Sequence, residues 1–169
     1  TLKNIQCVSK EKASPLQQII YTCRDGLNEY KTTFAVFGFQ YAEVETDVEL
    51  QPEDVTAIAV YSDIEQTGFF ECSNELLNRF VEATIWSTKG NSLDIPTDCP
   101  QRDERLGWTG DAQVFIKTAS YNYDVEKFFD KWLEDLRLEQ YPNGSVPYII
   151  PLYWGDCGST AVWSDAITI

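Results

Sequence analysis

The chain has 169 residues, 43% of them hydrophobic and 14% aromatic, which suits one ordinary domain or parts of two with a real core. Its 27 acids against 13 bases give a formal charge of −14 with no basic stripe, which argues against nucleic acid as a partner and leaves a neutral ligand such as a sugar unrepelled. It has no histidine, so Ser-His-Asp and Cys-His chemistry and imidazole-ligated metals are excluded within these residues, and catalysis here has to rest on carboxylates.

Five scattered cysteines (Cys7, Cys23, Cys72, Cys99, Cys157), odd in number and never spaced C-x-x-C, suggest neither a zinc site nor a disulfide scaffold. No apolar run approaches the roughly 20 residues of a membrane span, so no membrane partner is expected. The first residues, Thr1-Leu-Lys-Asn4, carry neither an initiator methionine nor a signal-like apolar stretch, and we expect a fragment of a longer protein.

Up to about residue 70 the pattern favours strands: Gln18 to Thr22, Thr33 to Val44 and Val55 to Tyr61 are β-branched and aromatic. Phe37, Phe39 and Tyr41 alternate with Gly38, Gln40 and Ala42, and Arg24 to Asn28 and Gln51 to Asp54 supply turns. This predicts the end of an antiparallel sheet or sandwich.

After Cys72 the period changes to about 3.6 residues. A first helix is expected from Ser73 as N-cap, through Leu76, Leu77, Phe80, Val81 and Ile85, to Gly90 as its stop. A second follows Thr109, with Ala112, Phe115, Ile116 and Ala119 on one face. A third starts from Asp124 and presents Val125, Phe128, Phe129, Trp132, Leu133 and Leu136. Successive short helical hairpins are compatible with an α/α barrel.

Between the first two helices, Asn91 to Trp108 shows neither period and holds Pro96 and Pro100, so it reads as a loop held by packed flanks, a common place for binding or catalytic groups. It and the next turn present Asp98, Arg102, Asp103, Glu104, Arg105, Trp108 and Asp111. A glycosidase needs such parts: one carboxylic acid to protonate the leaving oxygen, a second carboxylate to activate water or attack, and further acids to hold hydroxyls. Composition alone permits plainer readings. On that basis they are the favoured ones for the loop and the tryptophan: Arg102 to Arg105 as surface ion pairs worth little and Trp108 as core, with Asp111 explicable as an acid placed by the helix dipole.

The string Asp98-Cys-Pro-Gln-Arg-Asp-Glu104, continuing as Arg105-Leu-Gly-Trp-Thr-Gly-Asp111, resembles the signature of the α-L-rhamnosidases of glycoside hydrolase family 78. Phe34 to Val44 is similar to the family's strand before the catalytic domain, with Gln40 where an arginine is usual. Tyr141 to Pro147 and Trp163 to Ala166 match in order and character, so the resemblance covers most of residues 15 to 166. It implies mixed α and β in separate segments: residues 1–71 as the last strands of an antiparallel β-sandwich domain with a linker, and residues 72–169 as the N-terminal part of an (α/α)6-barrel catalytic domain, incomplete in this chain.

For function it implies an inverting hydrolase that removes terminal non-reducing α-L-rhamnose from glycosides or polysaccharides, without a cofactor or a catalytic metal. Glu104 becomes the general acid, and Asp98, Arg102, Trp108, Asp111 and Trp163 contact the sugar. Asp165 shares the motif of Trp163, whose indole reads as readily as filler between helices. Asp103 and Arg105 are expected as supports. The general base lies outside this chain, and the partners are the rhamnoside and the remainder of the same barrel, without which we expect no activity and a tendency to aggregate. An acid catalyst at neutral pH needs its pKa raised above about 4.3, which Asp98 and Asp111 could do for Glu104 if the arginines point away. Two other readings share these features: another inverting α/α-barrel glycosidase, and a non-catalytic carbohydrate-binding fragment.

Overall fold

The computed structural model describes residues 17–102, 104–153 and 155–169. Three α-helices dominate: α1 (Glu75–Gly90), α2 (Thr109–Asn122) and α3 (Glu126–Leu138). A minimal antiparallel hairpin of β1 (Ser92–Leu93) and β2 (Ile95–Pro96) lies between α1 and α2, and short 3-10 turns occur at Pro52–Asp54 and Ser164–Thr168. The chain divides into two compact units. One joins the described residues up to Ile58 to Pro100–Glu104; the other comprises Ala59–Cys99 and Arg105–Ile169.

The expected β-sandwich is not present among the described residues, and this corrects the fold class. Gln18 to Thr22, Thr33 to Val44 and Val55 to Tyr61 form no ladder; the one named sheet is β1–β2. Alternating aromatic residues favour an extended backbone, but a strand is stabilised by a hydrogen-bonded neighbour and a covered face. Neither is found here: Phe39 and Tyr41 are 52% and 76% exposed. The expected turns do form. Gly26 takes φ +93° inside a turn closed by Asn28, whose side chain accepts from the Arg24 N–H at 3.0 Å and donates to the Arg24 carbonyl at 2.8 Å.

All three expected helices form, although the apolar face expected of α1 is buried only in part. The N-cap of α1 is Asn74, one residue beyond the expected Ser73; its side-chain oxygen accepts from the N–H groups of Leu76 and Leu77 at 3.0 and 3.3 Å. Asn78 secures the approach by accepting from the Cys72 N–H and donating to its carbonyl. Gly90 ends the helix as expected. Ile85 and Thr88 are buried, whereas Leu76, Leu77 and Phe80 are exposed.

The core of the larger unit gathers Ile64, Ile85, Ala112, Ala119, Tyr123, Val125, Phe129, Trp132, Leu136, Val146 and Ile150. Helix α3 supplies its densest stripe, with Phe129 edge-on to both Phe128 and Trp132 at centroid distances of 5.3 and 6.2 Å. Burying each such side chain contributes about 1.5–3 kcal/mol. Tyr123 ties α2 to α1 by donating its buried hydroxyl to the Ile85 carbonyl at 2.9 Å.

Candidate active site

The loop between α1 and α2 is more ordered than its lack of period suggests. Asp94 forms the tip of the β1–β2 hairpin at φ +66° and is held there by a 2.7 Å bond from its N–H to the Ser62 hydroxyl and by the Lys131 ammonium at 3.1 Å. Thr97 is buried, donating from its N–H to the Asn91 carbonyl. The Asp98 N–H then donates to the Leu106 carbonyl at 2.8 Å, closing the base of the loop. Cys99 and Arg105, which flank residues 100–104, both adopt positive φ (50° and 57°). Non-glycine residues in that region cost about 1 kcal/mol or more and persist where the surroundings impose them.

Within the smaller unit, Arg102 and Glu104 are half-buried, and the Arg102 Nε and Glu104 Oε2 atoms are shielded from solvent. Gly38, from the expected Phe34 to Val44 strand, lies against this segment: a Cβ there would collide with the backbone of Gln101. The glycine thus has a packing reason even though its strand is absent. Asp103, expected as a support, lies outside the described residues.

The larger unit holds the other site residues. Asp98 is half-buried, and the Cys99 thiol donates to its Oδ2 at 3.2 Å. Trp108 is the half-buried N-cap of α2, and Asp111 sits in that helix's first turn. Desolvation, and after it the negative charge of Asp98, raises the Asp111 carboxyl above its ordinary value even though the residue as a whole is exposed; a backbone hydrogen bond works against them. The structure therefore brings Asp98 and Asp111 within electrostatic reach of each other.

Trp163, 39% exposed, packs on Gly110 of α2. It immediately precedes the Ser164–Thr168 turn, which Ser164 pins by donating to the Val146 carbonyl at 2.7 Å while accepting from the Ser159 hydroxyl. The Asp165 Oδ2 accepts from the Val162 N–H at 3.0 Å, which gives that carboxylate a turn-forming job.

The sequence reading missed the segment that carries Trp108. Tyr148, Ile149 and Ile150 run antiparallel to Gly107, Trp108 and Thr109. The Ile150 N–H donates to the Gly107 carbonyl at 2.8 Å, and the Thr109 N–H and hydroxyl both donate to the Tyr148 carbonyl, at 3.0 and 3.2 Å. A Cβ on Gly107 would collide with the Ile150 carbonyl. That same carbonyl accepts from the indole N–H of buried Trp132 at 3.2 Å, tying the strap to α3. The Tyr148 ring stacks on Trp108, with centroids 5.5 Å apart and planes 14° from parallel. The one available signal was the apolar run Tyr148 to Pro151 directly after the Tyr141 to Pro147 motif.

Residues 65–169 match the family described as the bacterial alpha-L-rhamnosidase 6 hairpin glycosidase domain, and the chain belongs to that family. It is 40% identical over 149 residues to an alpha-L-rhamnosidase of Formosa agariphila, covering 86% of this chain and 16% of that protein. With an alpha-L-rhamnosidase of Streptomyces avermitilis it shares 37% over 156 residues, covering 85% of this chain and 15% of the relative. Among solved structures it resembles the native Aspergillus terreus alpha-L-rhamnosidase with TM-score 0.67 and 51% identity, over 72% of this chain and 14% of that one. The Streptomyces avermitilis alpha-L-rhamnosidase complexed with L-rhamnose gives TM-score 0.60 and 41% identity, over 63% and 10%. The chain thus spans about one sixth of the length of the curated relatives it matches.

Proposed function

We propose that the enzyme carrying this chain hydrolyses terminal α-L-rhamnosyl residues with inversion, and that residues 72–169 form the first part of its helical catalytic barrel. Glu104 is the general acid: its carboxyl proton passes to the departing glycosidic oxygen as the bond to the anomeric carbon breaks. A carboxylate from outside residues 1–169 takes a proton from the water that attacks the opposite face, so the oxygen of water ends on the anomeric carbon. Such a pair stands about 6.5–9.5 Å apart to admit the water. Asp98, Arg102 and Asp111 hold the sugar hydroxyls, Trp108 and Trp163 receive its apolar faces, and Asp165 shapes the turn beside Trp163. No redox cofactor or catalytic metal enters this scheme.

The observation that carries the reading is the unbroken string from Asp98 to Asp111 in a chain of the rhamnosidase family. The shielding of Glu104 Oε2 supports it, because an acid catalyst needs a site away from bulk water. The test is Glu104→Gln in the complete enzyme with an aryl α-L-rhamnoside. Turnover should fall by about 10²–10⁴ while L-rhamnose affinity holds, and the first sugar detected by NMR should be the β-anomer. A glutamine variant with the parental rate would end the assignment of Glu104.

A further inference from the structure

We infer that Tyr148 is a positioning residue for rhamnoside binding, acting through Trp108; this rests on the rhamnosidase reading above. An indole has two faces, and Tyr148 occupies one of them in a near-parallel stack. The plane of the Tyr148 ring thus sets the plane of the indole that a sugar would meet. Tyr148 is itself fixed. Its carbonyl accepts two bonds from Thr109, whose residue is fully buried, and two residues on, the Ile150 carbonyl is held by the Trp132 indole in the core. The orientation of Trp108 is therefore dictated by α3 through the strap and the tyrosine ring, in addition to its own place at the start of α2. The phenol oxygen has no part in the stack, so the ring alone carries the effect.

The test compares Tyr148→Phe and Tyr148→Leu in the complete enzyme, by steady-state hydrolysis of an aryl α-L-rhamnoside and by titration with L-rhamnose. Tyr148→Phe should match the parent in KM, kcat and rhamnose Kd. Tyr148→Leu, of adequate bulk but without a ring face, should raise KM and Kd about tenfold, the scale of a lost aromatic pair, with kcat within about twofold. Tyr148→Met takes its place if the leucine variant is recovered unfolded. Parental KM and Kd in the ringless variant overturn the inference, and so does a loss confined to kcat or shared equally by the phenylalanine variant. These results leave the rhamnosidase reading intact, whereas a parent enzyme with neither rhamnoside turnover nor rhamnose binding overturns both.

Discussion

Trp163 occupies the space that a side chain on Gly110 would need: a Cβ at position 110 would stand 2.6 Å from the ring atoms Cδ1 and Nε1. Gly110 is buried and lies in the first turn of α2, where alanine is ordinarily the better helix former by about 1 kcal/mol. Overpacking of about 1–3 kcal/mol opposes that gain. Gly110→Ala is therefore expected to lower the melting temperature, or to push the indole aside and raise the rhamnoside KM about tenfold. Thermal melts and initial rates read the two effects separately, and a variant that changes neither would contradict the close packing of Trp163 on Gly110.

The strap formed by Tyr148, Ile149 and Ile150 takes side-chain hydrogen bonds from two buried residues, Thr109 and Trp132. Trp132→Phe keeps a ring but removes the donor to the Ile150 carbonyl, leaving a buried acceptor underserved beside a small cavity. The expected loss is about 1–3 kcal/mol in denaturant titration. A loss below about 0.5 kcal/mol would mean that backbone pairing and the Thr109 hydroxyl hold the strap without Trp132.

Asp111 gives a pH-dependent expectation. Its folded-state pKa stands above the ordinary 3.8, so the protonated form favours the folded chain. That contribution is complete below the ordinary value and is lost as pH rises through the raised one. Asp111→Asn mimics the protonated carboxyl at every pH. Its melting temperature relative to the parent should climb between about pH 3 and about pH 7, and a difference that stays flat or falls would contradict the sign.

The cap of α1 supplies a control away from the site. Asn74→Ala leaves the N–H groups of Leu76 and Leu77 without their acceptor and should cost about 1 kcal/mol, whereas Ser73→Ala should cost nothing measurable. Equal losses would restore Ser73 as the cap.

How far the sequence revealed this molecule depended on how local each feature is. Helices α2 and α3 were legible because Ala112, Ala119, Phe129, Trp132 and Leu136 recur at the spacing that buries them. The cap of α1 shifted by one residue because serine and asparagine are near-equal caps and only the fold decides between them. The runs between Gln18 and Tyr61 misled because alternation specifies a local backbone shape but supplies no partner strand. The site string could be read from residue identity. The strap could not: nothing local marks Tyr148 as the neighbour of Trp108, and Gly107 and Gly110 reveal their purpose only through what lies against them.

The pairing of Thr109 with Tyr148 joins positions 39 residues apart in the chain. A contact of that span must close a long loop, whose entropic cost is set against the hydrogen bonds it makes. During synthesis, Trp108 and the whole of α2 and α3 are joined to the chain before Tyr148 is. The Trp108–Tyr148 stack is consequently a feature that the chain can form only once α2 and α3 have both been made.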